Sequence, residues 1–168
     1  MEFQYDYRVG IGTDIHKLVP DLPLKLGGVE IPFEMGLLGH SDGDVVLHAV
    51  IDAILGATGL GDIGTLFPSS DPQLKGVDSR DLMLTVRELY RKQGWEIVNL
   101  DLIIHAERPR MEPHKGQIKR CVSGLLDVDF ANVNVKAKTH EGMGPVGFGR
   151  AIETSAVVLM RRRIKRIV

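Results

Sequence analysis

The chain has 168 residues, of which 43% are hydrophobic and 26% are charged. This length and composition predict one domain, residues 1–168, with a sizeable core. The formal net charge of -1 gives no overall attraction to nucleic acid or membranes, and no apolar run approaches the ~20 residues of a membrane span. Cys121 is the single cysteine, so an intramolecular disulfide is excluded and we expect a reduced, cytoplasmic setting.

Strand and helix patterns alternate along the chain, which predicts an α+β sandwich with helices on one face of a four-stranded mixed sheet. We expect Ser41 to cap the first helix, with Asp44 at its third position. Residues 1–7 are interpreted as an extension and residues 161–168 as a basic, solvated end. The predicted strands are 3–12, Leu24–Leu26 with Val29 and Ile31, 95–106, 132–139 and 151–163, and the predicted helices are 41–58, 79–93 and 112–126.

The last two predicted strands differ in how their faces are covered. Residues 132–139 alternate apolar and polar side chains, so one face is buried and the other is polar. The strand through Ala156 and Met160 is apolar on both faces, which a chain this small has limited means to cover. Burial against sister subunits is the simplest solution, so we expect an oligomer.

Three side chains have the types and spacing of a metal site. Asp14 and His16 are two residues apart on a predicted strand and project to the same side, and His48 lies on the first predicted helix. Two imidazole nitrogens and a carboxylate oxygen suit zinc, and three protein ligands leave a fourth position open for substrate or water. Gly10 and Gly12 precede the pair, where the missing side chains let the backbone turn sharply or approach a ligand closely.

Three segments rich in turn-forming residues are predicted to contact a ligand. One of them follows the strand at 132–139 and contains Thr139, His140 and Glu141, where free backbone amides can meet phosphate. Each segment alone could be an ordinary turn, but together with the candidate metal site they favour a binding site. The segments are 59–72, 106–111 and 139–145.

Short motifs from Arg8 to about Met160 carry a family resemblance. The most specific is His40-Ser41-Asp42-Gly43-Asp44 followed by His48. The others are Asp14-Ile15-His16, Gly27-Gly28-Val29, Leu60-Gly61-Asp62-Ile63-Gly64, Leu66-Phe67-Pro68, Asp78-Ser79-Arg80 and Asn134-Val135-Lys136-Ala137-Lys138-Thr139. Together they resemble the 2-C-methyl-D-erythritol 2,4-cyclodiphosphate synthases, enzymes of the non-mevalonate isoprenoid pathway.

This resemblance implies a metal-dependent phosphorus-oxygen lyase with a cytidine diphosphate derivative as substrate. The 2-phosphate of 4-diphosphocytidyl-2-C-methyl-D-erythritol 2-phosphate would attack the β-phosphorus, CMP would leave and a cyclic diphosphate would form. It implies a homotrimer with active sites between subunits. It also implies Zn2+ on Asp14, His16 and His48, and a second ion, Mg2+ or Mn2+, on Glu141.

The resemblance also assigns the remaining site residues. His40 and Thr139 would stabilise the transition state, and Ser41 would contact the phosphates. Asp14 and His16 would contact the substrate through the zinc ion. The other implied substrate contacts are Asp62, Ile63 and Gly64 for the erythritol; Phe67, Pro68, Ser69, Ser70 and Asp71 in a flap; Ala106, Glu107, Arg108, Pro109, Arg110, Met111 and Glu112 in the neighbour's cytosine pocket; and Lys138, His140, Glu141, Pro145 and Phe148.

Several positions depart from the family pattern. Phe148 stands at the usual arginine position and Arg150 at the usual glutamate position, near a trimer-axis cavity where some relatives bind isoprenoid diphosphates. The change puts that secondary binding in doubt. Ser69 replaces a common aspartate and Lys138 a common threonine, and these milder changes could tune affinity without altering the reaction.

Two other classes of function remain open on the sequence. A hydrolytic zinc phosphoesterase would use the same three ligands with a bound water, but no further general base is evident beside His40. A zinc-stabilised module that binds nucleic acid through Arg161 to Arg166 would have no use for Glu141 or for the loop at 59–72.

Overall fold

The computed structural model describes residues 4–164 and contains seven strands. They are β1 (Gln4–Pro20), β2 (Leu24–Leu26), β3 (Val29–Ile31), β4 (Met35–Leu38), β5 (Trp95–His105), β6 (Val133–Lys138) and β7 (Ala151–Ile164). The main sheet has the order β4-β1-β7-β5-β6, and only β5 and β6 are parallel to each other. The predicted mixed sheet is confirmed. The strand count of four is wrong, because β4 adds an edge beside Lys17 to Pro20 of β1.

The helices are α1 (Val45–Thr58), α2 (Ile63–Leu66), α3 (Ser79–Lys92), α4 (Lys115–Leu126) and α5 (Gly144–Gly147). Short 3-10 turns cover Pro72–Leu74 and Phe130–Asn132. The three long predicted helices are present. The predicted starts of the first and third of these, at residues 41 and 112, are wrong, since α1 begins at Val45 and α4 begins at Lys115.

The start of α1 is set by Asp44, not by Ser41. The buried Asp44 carboxylate accepts hydrogen bonds from the amides of Val46 and Leu47, which makes it the N-cap. It also accepts from the amides of Gly27 and Gly28 at 2.8 and 2.6 Å, which ties the β2-β3 hairpin to the helix. Ser41 lies outside the helix, so its side chain is available to the site described below.

Helix α1 packs unusually close to β1 because two strand residues have no side chain. A methyl group at Gly10 would overlap the Ala53 carbonyl oxygen, and one at Gly12 would overlap the Ala49 carbonyl oxygen. The sequence indicates close approach to a ligand at these glycines, whereas the structure uses them for close approach of a helix. The close packing brings the polar end of β1, with Asp14 and His16, against His48 on α1.

The opposite face of the sheet is apolar and open in the single chain. Tyr7, Val9 and Ile11 of β1 are 54, 68 and 70% exposed, and their partner strand contributes Val157 at 44%. On the same β7, Ala156 and Val158 are buried in the core. The prediction that the last strand is apolar on both faces is therefore confirmed.

The two chain ends are only partly within the described residues. Residues 4–7 of the predicted extension belong to β1, and Arg161 and Arg162 belong to β7. These arginines pair with Glu96 and Asp6 at 3.1 and 3.2 Å, so this part of the basic run is strand and not a solvated tail. Residues 1–3, Lys165 and Arg166 lie outside the described residues. No helix within residues 4–164 combines the length and apolarity that a membrane crossing requires.

Candidate metal centre and substrate cavity

The three predicted zinc ligands converge where β1 meets the first turn of α1. Asp14 Oδ2 lies 2.8 Å from His16 Nε2 and 3.0 Å from His48 Nδ1, and the two ring nitrogens are 3.4 Å apart. Tetrahedral zinc with bonds of about 2.0 Å separates its ligand atoms by roughly 3.3 Å. The donor set and its spacing therefore fit a zinc ion bound by all three side chains.

Each donor atom is aimed by a bond on its other side. The Ile15 amide donates to Asp14 Oδ1 at 3.0 Å and leaves Oδ2 facing the imidazoles. His16 Nδ1 lies 2.7 Å from the Leu38 carbonyl oxygen, to which it can only donate, so Nε2 carries the lone pair. The edge strand β4, absent from the prediction, thus orients one ligand.

The electrostatics of the cluster favour a cation. Burial is the largest influence on Asp14 and raises its pKa, but hydrogen bonds and charge from His16 and His48 outweigh it and hold the pKa well below its ordinary value. The pKa of His16 is raised because its hydrogen bond to Asp14 favours the charged ring, although burial opposes this. An ionised carboxylate with two imidazoles is a ready ligand set for a divalent metal.

A cavity of about 350 Å³ opens directly on the cluster. The side chains of His40 and Ser41 line it together with the three candidate ligands. Of the predicted substrate contacts, the cavity also includes Ile63, Gly64, Phe67, Pro68, Ser69 and Ser70. His40 Nε2 lies 3.4 Å from the Asp71 carbonyl oxygen, so the predicted flap closes one side of the cavity.

The loop that bears Asp62 is held at the cavity by two caps. Asp62 accepts from the Thr65 amide at 2.7 Å and starts α2, while Asp52 of α1 accepts from the Ile63 amide at 2.7 Å. Asp62 does not itself line the cavity, although its neighbours do. Three apolar residues that line the cavity are not predicted from the sequence, because their pattern is typical of an ordinary core. They are Leu74, Val77 and Leu82.

A second cavity, of about 500 Å³, lies at the exit of β5 and β6. Its lining includes most of the predicted cytosine contacts and Thr139 of the segment 139–145. The lining residues are Ala106, Glu107, Arg110, Met111, Glu112, Ala137, Lys138 and Thr139. Arg108 points elsewhere, to Glu34 at 3.1 Å. The metal cluster and this second cavity do not share a lining residue within the described chain.

The loop at 139–145, which follows β6, is held by hydrogen bonds that its own residues make. Thr139 Oγ1 donates to Glu141 Oε1 at 2.8 Å, and Glu141 adopts a left-handed backbone with φ of 50°. His140 Nε2 and His105 Nδ1 are 3.2 Å apart, and the His140 amide donates to Glu107 at 3.3 Å. The loop therefore places the Thr139 hydroxyl at the second cavity, with the Glu141 carboxylate hydrogen-bonded to it.

Comparison with known proteins assigns this arrangement to a family. Residues 7–161 match the model of the YgbB family. The chain belongs to the YgbB family. A Clostridium acetobutylicum member, named 2-C-methyl-D-erythritol 2,4-cyclodiphosphate synthase, is 49% identical over 153 residues, covering 91% of this chain and 99% of the relative. This membership confirms the resemblance seen in the sequence.

Solved YgbB-type structures share the fold. The bifunctional IspDF of Campylobacter jejuni superposes with a TM-score of 0.91 at 36% identity, over 95% of this chain and 43% of the longer one. A Plasmodium falciparum IspF, solved as a CDP complex, gives a TM-score of 0.83 at 37% identity, over 94% and 97% of the two chains. The architecture of this YgbB protein is thus shared by a protein that holds a cytidine diphosphate.

One departure from the family pattern is visible at the end of α5. Phe148 is 65% exposed, and the Arg150 guanidinium lies 5.7 Å from the centre of its ring. Pro145 lies at the start of the same short helix and is exposed. This YgbB chain therefore presents an aromatic ring beside a cation at the end of α5.

Proposed function

We propose that the chain converts 4-diphosphocytidyl-2-C-methyl-D-erythritol 2-phosphate to 2-C-methyl-D-erythritol 2,4-cyclodiphosphate and CMP. A 2-phosphate oxygen bonds to the β-phosphorus, the bond from that phosphorus to the CMP oxygen breaks, and no water is consumed. The observation that carries the proposal is the Asp14-His16-His48 cluster opening on a cavity with His40 and Ser41, in a chain 49% identical to a named synthase.

We assign two metal ions to the site. Asp14, His16 and His48 would hold Zn2+, and Glu141 would anchor Mg2+ or Mn2+ beside the substrate phosphates. When bound, these ions neutralise phosphate charge and polarise the phosphorus that is attacked. Glu141 is exposed, and among residues 4–164 its side chain accepts one hydrogen bond, from Thr139 to Oε1, so Oε2 is open to a cation.

The protein residues position the reacting groups. Attacking and leaving oxygens must lie roughly in line, so fixed donors around the phosphate decide the rate. His40 and Ser41 face the first cavity and donate to phosphate oxygens. Thr139 lies at the second cavity, and its hydroxyl turns from Glu141 to the phosphate when substrate binds. A donor aimed at developing charge contributes on the order of 2.7 to 4 kcal/mol.

The separation of the two cavities supports a shared site between subunits. One protomer supplies the zinc cluster and the erythritol loop, and its neighbour supplies residues 106–112 for the cytosine. The open apolar face formed by Val9, Ile11 and Val157 gives the surface on which the neighbours pack. We propose a homotrimer, a cytoplasmic location and no nucleic acid or membrane partner.

Phosphorus NMR on the purified protein tests this function. With zinc, magnesium and the diphosphocytidyl substrate, the expected products are CMP and the cyclic diphosphate in equal amounts. An open erythritol phosphate in place of the cyclic product would instead identify a hydrolytic phosphoesterase. A protein that leaves the substrate unchanged under these conditions would refute both readings.

A further inference from the structure

His48 is the one proposed zinc ligand that has hydroxyl groups on its far side. Its Nδ1 faces Asp14 at 3.0 Å, whereas its Nε2 lies 2.9 Å from Ser79 Oγ and 3.0 Å from Ser41 Oγ. A neutral imidazole carries one proton, so a single choice of tautomer decides which nitrogen can bind a metal. The hydrogen-bond partners of His48 Nε2 therefore decide which of the two ring nitrogens is free to bind a metal.

The Ser79 hydroxyl donates its proton to Asp42, so its oxygen can only accept a hydrogen bond from His48. The Ser79 hydroxyl donates to Asp42 Oδ1 at 2.5 Å, and its amide donates to Asp42 Oδ2 at 3.1 Å. Because the hydroxyl proton points to Asp42, the oxygen offers a lone pair to His48. Nε2 must then carry the proton, and the lone pair of Nδ1 is turned toward Asp14 and His16.

The Asp42–Ser79 pair is built into the fold and is shielded from water. Ser79 is completely buried at the first position of α3, and the Asp42 side chain is 9% exposed. Lys25 Nζ lies 3.7 Å from Asp42 Oδ2 and balances its charge. By contrast, Ser41 Oγ contacts only His48 and Ser79 among the side chains of residues 4–164, so no carboxylate fixes its proton.

We propose that Asp42 and Ser79 are positioning residues that hold His48 as an Nδ1 zinc ligand, leaving Ser41 to donate to the substrate. A carboxylate behind a metal-bound histidine commonly fixes its tautomer and raises its basicity, and here a serine hydroxyl transmits that effect. The two histidines of the site are then oriented in opposite senses, since His16 binds through Nε2. The proposal rests on the zinc assignment made above.

Zinc affinity separates this role from a merely structural one. Ser79→Ala and Asp42→Asn are expected to weaken zinc binding roughly 10- to 100-fold, measured by competition with a chromophoric chelator. Ser41→Ala is the matched control, because it removes a hydroxyl at almost the same distance from Nε2. It is expected to bind zinc within about threefold of the parent. Ser79→Thr keeps the hydroxyl and is expected to restore affinity relative to Ser79→Ala.

Nitrogen-15 histidine NMR on the zinc-loaded protein reads the ligand atom directly. The expected spectrum has His48 protonated at Nε2 and metal-bound at Nδ1, with the Nε2 proton exchanging faster in Ser79→Ala. Metal bound at Nε2, or parent-like affinity in both Ser79→Ala and Asp42→Asn with an intact fold by circular dichroism, overturns the proposal. A parent protein that binds no zinc overturns the proposed function as well, so the two failures are distinguishable.

Discussion

Substituting Gly12 by alanine tests how the fold assembles the metal site. Gly12 has an ordinary backbone conformation, so the change acts only through the added methyl group. That methyl would overlap the Ala49 carbonyl oxygen and lie 2.6 Å from the Ala53 amide nitrogen. Comfortable contact needs about 3.5 Å, and the Ala49 carbonyl oxygen is the closer of the two atoms, so α1 must move roughly 1.5 Å from β1.

A shift of this size acts on the site because the ligands sit on both elements. Asp14 and His16 stay with β1, and His48 moves with α1, so the present 3.0 Å separation of Asp14 and His48 increases. A displacement of about 1 Å can cost on the order of 10²-fold in turnover. Overpacking of this kind costs about 1 to 3 kcal/mol, which corresponds to roughly 2 to 12 °C in Tm.

Gly56→Ala is the matched control on α1 itself. A methyl group there meets no heavy atom closer than the Ile11 carbonyl oxygen at 4.0 Å. Alanine should stabilise this helix position by about 0.5 to 1 kcal/mol and leave zinc binding unchanged. Calorimetry measures the Tm of both variants, and titration measures their zinc affinity. If Gly12→Ala matches Gly56→Ala in Tm and in zinc affinity, the close packing does not position the ligands.

Three further predictions concern the metals and the assembly. His48→Ala should lower zinc well below one per subunit by mass spectrometry and abolish turnover without loss of fold, and full zinc occupancy would remove the ligand assignment. Glu141→Gln should retain zinc but reduce turnover by orders of magnitude, because the proposed second ion would lose its anchor; a parent-like rate with unchanged magnesium dependence would contradict that role. Leu159→Glu, on the open face, should convert a trimer to inactive monomers in sedimentation, whereas an active monomer would exclude shared sites.

The Asp14-His16-His48 cluster could be predicted in part, because a local rule places two of its members. Alternation along a strand puts Asp14 and His16 on one side, and the almost fully buried α1 brings His48 over them. The glycines at 10 and 12 are visible in the sequence and explain why the two elements touch. Only the strand pair is a short-range pattern, because His48 is 34 residues from Asp14 and meets it through the packing of α1 on β1.

The partners behind the ligands could not be predicted from those rules. Ser79 lies 31 residues from His48, and its motif Asp78-Ser79-Arg80 was noticed only as part of the family resemblance. The sequence predicts Ser41 as the helix cap because serine and aspartate cap equally well, and only the packing of Gly27 and Gly28 selects Asp44. Strand β4 was missed because it is four residues long and contains a glycine.

The proposed reaction closes a ring without using water. Running it in water enriched in oxygen-18 and recording the phosphorus spectrum tests this, because each incorporated oxygen-18 shifts the signal of its phosphorus. Cyclisation predicts CMP and a cyclic diphosphate that both lack the label, formed at equal rates. Label in CMP or in an erythritol phosphate would show that water attacked phosphorus, and would contradict the assignment of this cavity to a cyclodiphosphate synthase.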